Sequence, residues 1–507
     1  MYIESEISRI RHRVLTEVAR LQWEKRLVQE ADELPELLVN QHQQRYRCCE
    51  YKEKAIYAER LKLAMGLTLA RNPKKPLGQA AEEALTCSAV AGCQVEVIDI
   101  ACDSCPINKF FVTNACRNCL VHSCQTSCPR GAISIVQNQA YIDQNRCVEC
   151  GLCKKSCRYG AILEIHRPCE QSCGVKAIVS GEDRKAVIDH DKCVSCGACV
   201  VSCPFGAISD RAQLLKVITL LQEEKQVIAV VAPSIIGQFG QKGNIAPVYD
   251  ALSKLGFQEV VEAAQGADLV AMAESGEFLR QVPHEQDFLT SSCCPAFVNL
   301  VKLHKPELSG NVSSYVSPML ATAGMIKDKY PEAKVVFIGP CIAKKGEALG
   351  TALIDAVLTF EELAALFEGA GVEHVKADVV PSETPSSQLG LGFAVSGGVT
   401  KALLACLPQE KQKDVQAIQA QGLDDCLQAL NQLKSKDSKA NYLEGMACSG
   451  GCMGGPGVLV DSRFTRRYLQ EHKQKQLNVT PINNPIVQEI LSGHPSYLHH
   501  KELGEKE

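Results

Sequence analysis

Cys193, Cys196, Cys199 and Cys203 stand in the spacing C-x2-C-x2-C-x3-C followed by Pro204, and Cys147, Cys150, Cys153 and Cys157 repeat it without the proline. No other feature constrains the chain as much. Three thiolates must converge on three irons of one small cube, which closely spaced cysteines on tight turns permit, while the fourth reaches across to a neighbouring cube. A zinc site would favour isolated C-x2-C pairs instead. Each run is followed by an Ala-Ile dipeptide, Ala161-Ile162 and Ala207-Ile208, expected on a strand packed over a cluster.

Two looser runs accompany these. Cys116, Cys119, Cys124 and Cys128 have one spacing widened and precede Ala132-Ile133, whereas Cys169 and Cys173 precede Ala177-Ile178 and look like the end of a run without its first half. Pairing the runs gives three [4Fe-4S] cubes: Cys116, Cys119 and Cys124 with Cys157; Cys147, Cys150 and Cys153 with Cys128; Cys193, Cys196 and Cys199 with Cys173. Cys169 and Cys203, joined by Cys102 and Cys105, supply either a fourth cube or free thiols. Cys48, Cys49, Cys87, Cys93, Cys406 and Cys426 are expected as buried thiols.

The chain has 507 residues and 27 cysteines. A disulfide scaffold would be short and carry a secretory leader. Here the N-terminus is charged throughout, and Ile3, Ile7, Ile10, Val14, Val18 and Leu21 recur at helical spacing. No apolar run approaches the ~18 residues of a membrane span. Net charge is −4, without the basic face that nucleic acid requires. A cytoplasmic protein is the expectation, with neither membrane nor nucleic acid as partner.

Cysteine density and periodicity predict a multidomain chain of α+β and α/β class. Residues 1–85 read as a helical region, 86–215 as a ferredoxin-like domain holding several [4Fe-4S] clusters, 216–465 as an α/β domain, and 466–507 as a helical, solvated tail. In the α/β domain, Gln226–Ala232 and Lys334–Ile338 read as buried strands, and Val248–Leu255 and Ala267–Leu279 as helices around a short strand near Val260. His499 and His500 in the tail read as surface residues.

Three segments in the α/β part carry the remaining signal: S-S-C-C-P-A-F at 291–297, G-P-C-I-A-K-K-G-E at 339–347 and E-G-M-A-C-S-G-G-C-M-G-G-P at 444–456. They bring five cysteines, enough for one more cube with one thiol spare, and glycines that allow backbone to approach a bulky group. In order, they resemble the signature loops T-S-C-C-P-x-W, M-P-C-x-x-K-x-x-E and E-x-M-x-C-x-x-G-C of [FeFe] (iron-only) hydrogenases. The resemblance spans about residues 226–465 and fits the cysteine-rich region before it.

That resemblance implies an H-cluster. Cys294, Cys341, Cys448 and Cys452 would hold its [4Fe-4S] cube, Cys452 also bridging to a two-iron unit with CO, cyanide and an azadithiolate. Lys344 would hydrogen-bond a cyanide, Met446 would pack nearby, and Cys293 would relay protons through Glu274, Ser317 and Glu277. A thiol mostly protonated at neutral pH suits such a relay. An ordinary solvated acidic face is the bland alternative for Glu274 and Glu277. Gly339 in place of Met, Ser291 of Thr, Phe297 of Trp, and the ending G-G-P-G mark a divergent, ferredoxin-linked monomeric branch. The implied activity is reversible reduction of protons to H2, with ferredoxin as electron partner and maturation proteins supplying the two-iron unit. A hydrogen or redox sensor built on the same cofactor, and an iron–sulfur scaffold lacking the two-iron unit, are the rival readings. No segment reads as an added signalling module.

Overall fold

The computed structural model describes residues 5–41, 46–69, 75–86, 92–102, 105, 109–181, 183, 185–240, 243–373, 386–435, 438–493 and 495–500. Four strands form a parallel sheet in the order Glu259–Glu262, Val227–Val231, Lys334–Ile338, Ala356–Leu358. Its apolar runs are buried on both faces, as parallel sheets require. Val227, Ala229 and Val231 point one way, into a core with helices Ala246–Leu255 and Phe360–Gly369. Ile228 and Val230 point the other way, against helix Pro318–Lys329. A second parallel sheet orders Leu289–Thr290, Tyr442–Met446 and Ala417–Gln421.

Helix Glu6–Trp23 follows the periodicity of its apolar residues and begins at Ser5, whose side chain accepts from Ser8 N. Its buried face, Val14 and Val18 among it, belongs to the same core as the sheet residues Val227 and Val336. The N-terminal helices thus complete the α/β core. Arg11 ties the junction to Glu361, and fully buried Lys345 bonds Asp210 at 2.7 Å and Glu362 at 3.0 Å.

The cysteine-rich region resolves into two ferredoxin-like units, one inserted in the other. In the inserted unit, Phe110–Val112 pairs antiparallel with Ile162–Glu164, and Ile133–Val136 pairs with Gln139–Ile142. In the host unit, Val95–Val97 pairs with Ile208–Asp210, and Ile178–Ser180 with Ala186–Ile188. The inserted unit occupies the stretch between Cys105 and Cys169, and its two ends meet where Ile165 N donates to Lys109 O at 2.7 Å. Its core of Phe110, Ile133, Ala140, Ile142 and Ile162 closes within the unit. The host unit instead shares Val175, Ala177 and Val194 with the core around Phe297 and Leu423 of the α/β domain.

The tail, expected to be helical and solvated, is anchored in the core. Helices Ser462–Lys473 and Pro485–Ser492 form, and Val487, Tyr497 and Leu498 are buried in the core beneath the sheet. Gly324 makes room for the Tyr497 ring, which a Cβ there would meet at 2.2 Å. His499, expected at the surface, stacks on Tyr315 with centroids 4.5 Å apart. Sparse apolar residues at irregular spacing hid this packing, because a strap needs only a few anchors. Among the described residues, no helix is long and apolar enough to cross a membrane.

Candidate iron–sulfur wire and catalytic centre

The fourth-position cysteines explain the Ala-Ile dipeptides. Ala132, Ala161, Ala177 and Ala207 each donate their backbone N–H to the sulfur four residues earlier, on Cys128, Cys157, Cys173 and Cys203, at 3.2–3.4 Å. The following isoleucine is buried at the start of a strand. N–H donors aimed at sulfur stabilise negative charge there, which suits thiolates on a cluster.

The two units match bond for bond. Ala140 N donates to Cys116 Sγ at 3.5 Å and Ala186 N to Cys102 Sγ at 3.4 Å. Glu149 N donates to Cys147 Sγ and Ser195 N to Cys193 Sγ, both at 3.4 Å. Glu149 and Ser195 both have φ of 55°, followed by left-handed Gly151 and Gly197. Cys102 and Cys105 therefore correspond to Cys116 and Cys119, and Cys169 and Cys173 to Cys124 and Cys128. The missing first half of the run is Cys102-x2-Cys105, displaced along the chain by the inserted unit. Burial pushes the Cys169 thiol up to about 12, and Cys203, Cys102 and Cys105 are among the groups that raise it further. For Cys124 burial again leads, with Cys157, Cys116 and Cys119 as like-charged neighbours. Cys128, Cys147, Cys150 and Cys153 line one small cavity.

The host unit leads into the α/β domain. Cys196 is raised to about 11, first by burial, and its thiol neighbours are Cys173 of its own unit and Cys294 of the cysteine loops. Burial leads in raising Cys199, with Cys196, Cys173 and Cys169 among its like-charged neighbours. Of the remaining thiols, Cys426 is buried, Cys93 lies against Cys193, and Cys93 and Cys406 are partly covered. Cys48 is exposed and Cys49 partly so, against expectation. Cys87 lies outside the described residues.

The three cysteine loops leave the C-terminal ends of parallel strands, where open α/β sheets hold their ligands. Cys294 precedes helix Pro295–His304, Cys341 follows strand Lys334–Ile338, and Cys448 and Cys452 follow strand Tyr442–Met446. Glu444 of the third loop has a scaffold role: it accepts from Gly397 N at 2.6 Å and from Thr400 N and Oγ1, tying down helix Gly398–Cys406. Gly450 and Gly451 turn at φ of 83° and 77°, and a Cβ on Gly451 would lie 2.8 Å from Ala394 O. Burial raises Cys341 to about 12, Cys452 to about 11 and Cys448 well above its ordinary value. Four thiols gathered this closely need cationic iron to be held as thiolates. Among the described residues no three His, Cys, Asp or Glu side chains converge on one metal ion. A cube does not ask for that, since each thiolate takes its own iron.

Beside these cysteines lies a cavity of about 60 Å³ lined by Cys293, Lys344, Met446, Cys341, Cys452 and Ser234. Lys344 Nζ bonds Glu347 at 2.9 Å and Ser317 Oγ at 3.0 Å. Burial alone would lower this lysine, but Glu347 and Cys341 outweigh it and hold it charged. Ser234 Oγ, in the lining of the same cavity, is buried without a hydrogen-bond partner among the described residues. Gly339 lacks the family's methionine side chain, and the ring of Phe337 fills its place, 2.6 Å from where a Cβ would stand.

The glutamates are not a solvated face: Glu274 and Glu277 are each 1% exposed. Glu274 accepts from Tyr442 Oη at 2.5 Å, its other oxygen has no hydrogen-bond partner among the described residues, and burial lifts it to about 8 against the pull of Tyr442 and Ser313. Glu277 accepts from Ser313 Oγ at 2.6 Å and Ser314 N at 3.0 Å. Ser317 does not stand between the glutamates as expected. It sits on Lys344, and Ser313 lies beside both carboxyls. V-S-S-Y-V-S-P offers three serines, and only the turn of the backbone decides which faces the glutamates. Tyr442 and Ser234 left no sequence signal of their own.

The profile described as "Iron only hydrogenase large subunit, C-terminal domain" matches residues 225–456, and "4Fe-4S binding domain" matches 140–163 and 186–209. Residues 225–456 are a domain of the [FeFe]-hydrogenase family. The domain is a distant member. "Iron hydrogenase 1" of Clostridium pasteurianum is 30% identical over 62% of this chain and 64% of its own length. "Periplasmic [Fe] hydrogenase large subunit" of Nitratidesulfovibrio vulgaris is 30% identical over 43% and 65%. The match thus spans slightly under two thirds of either hydrogenase. "Cytosolic iron-sulfur assembly component 3" of Rattus norvegicus is 23% identical over 47% of this chain and 62% of its own length. The two 4Fe-4S matches fall at corresponding positions of the inserted and host units, and together with the catalytic match they support an oxidoreductase moving electrons through iron–sulfur clusters.

Proposed function

We propose that this chain is a hydrogenase interconverting protons and H2, 2H+ + 2e− ⇌ H2. The observation that carries the reading is one cavity sharing the spare thiol Cys293, the cation Lys344 and Met446 with the loop cysteines Cys341 and Cys452. Cys294, Cys341, Cys448 and Cys452 would hold the H-cluster cube, and the adjoining cavity its two-iron unit. When bound, that cofactor supplies the metal site and amine base for making and splitting H2. Lys344 and Ser234 present N–H and O–H donors to its anionic ligands. Cys293, Glu274 and Glu277 carry protons between cavity and surface, with Ser313 taking the place first given to Ser317. The four accessory cubes take Cys116, Cys119, Cys124 and Cys157; Cys128, Cys147, Cys150 and Cys153; Cys102, Cys105, Cys169 and Cys203; and Cys173, Cys193, Cys196 and Cys199. The hydrogen couple at pH 7, about −0.4 V, lies within reach of such clusters. The reading includes ferredoxin as carrier, maturation proteins as donors of the two-iron unit, and a cytoplasmic setting.

The likeness to an assembly component favours a second reading, a cluster scaffold without the two-iron unit. A scaffold has no use for Cys293, Lys344 and Glu274 around one cavity. Infrared spectroscopy after maturation decides between them. CO and cyanide bands are expected, and their absence in a preparation where a control enzyme is activated would overturn the hydrogenase reading.

A further inference from the structure

One turn of the host unit packs directly on the cysteine loops. A Cβ on Gly197 would meet Ile342 and Pro456 at 2.7 Å, Val194 is 1% exposed, and Cys196 neighbours Cys294. In the inserted unit the corresponding turn is bare: Val148 is 55% exposed, Leu152 is 43% exposed, and the ligand cysteine Cys150 is itself exposed.

Charge separates the units in the same direction. Residues 109–166 carry seven Lys and Arg against Asp143, Glu149 and Glu164, a net of +4. The host segments 92–108 and 167–210 carry five against nine acids, a net of −4, in a chain that is −4 overall. Lys109 and Lys154 pair with Glu164. Arg130, Arg146 and Lys155 are exposed around the bare turn and have no carboxylate partner among the described residues.

We infer that the turn Val148–Leu152, rimmed by Arg130, Arg146 and Lys155, is the docking surface for an acidic one-electron carrier protein. This rests on the redox reading above. The turn that the host unit uses to hand electrons inward is the turn that the inserted unit leaves open outward. Exposed Val148 and Leu152, inside a cationic rim that outweighs the turn's own Glu149, bring a carrier's centre close to Cys150 while its acidic face is steered by the rim. One electron passes per encounter from the reduced carrier to the cube held by Cys128, Cys147, Cys150 and Cys153, or back in the reverse direction. It then crosses to the cube of Cys116, Cys119, Cys124 and Cys157 and on into the host unit.

The test uses the full-length, cluster-loaded protein with a purified acidic two-[4Fe-4S] ferredoxin as probe. Direct binding is measured alongside hydrogen-dependent reduction of ferredoxin and of methyl viologen. Val148→Glu and the pair Arg146→Glu/Lys155→Glu should each weaken ferredoxin binding at least tenfold and raise its KM in step, with viologen turnover within about twofold. Raising salt from about 0.05 to 0.3 M should weaken wild-type binding several-fold. Leu120→Glu, 98% exposed on the loop of the other inserted cluster, should leave binding unchanged. Unaltered binding in both turn variants, a loss in Leu120→Glu as large as theirs, or a preference for a basic carrier would overturn the assignment. Ferredoxin binding without viologen activity in matured protein would sink the hydrogenase reading and leave the surface standing. Viologen activity without ferredoxin binding at low salt would do the reverse.

Discussion

Val148 and Val194 hold the same place in two copies of one turn, yet the first is 55% exposed and the second 1%. Glu149 and Ser195 share a φ of 55°, but the glutamate faces water while the serine is 7% exposed and accepts from Gln94 N. The cradle itself is the same in both: N–H groups on sulfur, a left-handed glycine, an alanine four residues past the last cysteine. What differs is everything one side chain further out. Cluster binding is therefore settled by backbone geometry, and position along the wire by the residues that decide which face is covered.

The largest expected effect tests that division directly. Cys196→Ala in the host unit removes a ligand at the junction with Cys294 and should cut hydrogen turnover by about two to three orders of magnitude with ferredoxin. Cys150→Ala, the matched change in the inserted unit, should cost as much with ferredoxin but under about tenfold with viologen, since a small dye can reach other clusters. Equal losses with both donors in both variants would show that the units are not in series.

Excising residues 110–165 and closing the gap with a short glycine linker is the next step down. The ends already meet through Ile165 and Lys109, so the remainder should fold, with eight fewer irons than wild type, two cubes' worth. Viologen turnover should persist within about threefold, and ferredoxin turnover should fall at least tenfold. Loss of more than eight irons would mean that Cys102 and Cys105 do not complete the host unit without the insert.

Changes on the proton side should be blind to the electron donor, which sharpens the contrast. Cys293→Ala should lower turnover by the ~10²-fold of a lost acid–base group with every donor while the iron content holds. Tyr442→Phe should act more mildly, by a few-fold. Tyr442 donates to Glu274 and holds it down, so its loss raises a carboxyl already near pH 8. Hydrogen uptake is expected to rise with pH as Glu274 ionises, and in Tyr442→Phe that rise should move to higher pH. A limb that stays in place would remove Tyr442 from the path.

The same carboxyl makes a stability prediction. Its folded value of about 8 lies above the ordinary range near 4.3, so folding is favoured by the neutral form. That contribution is whole below the unfolded value and is lost as pH rises through about 8. Thermal unfolding of the apoprotein should come at lower temperature at pH 9 than at pH 6, and Glu274→Gln should flatten the difference.

The sequence by itself determined the chemistry. Two C-x2-C-x2-C-x3-C runs and three cysteine loops name iron–sulfur binding because ligand spacing is a local property of the chain. The strands at Val227–Val231 and Lys334–Ile338 were legible for a similar reason, being continuous apolar runs. The tertiary structure decided what lies between distant residues. Cys102 and Cys105 join Cys169 only because a whole unit folds out of the intervening chain and brings its ends together. Ser313 rather than Ser317 meets the glutamates because the backbone turns between them. The tail's few apolar anchors gain meaning only against Gly324 and Tyr315. Spacing along the chain fixes which atoms can bind together locally, whereas burial and partners are properties of surfaces that exist only once the chain has folded.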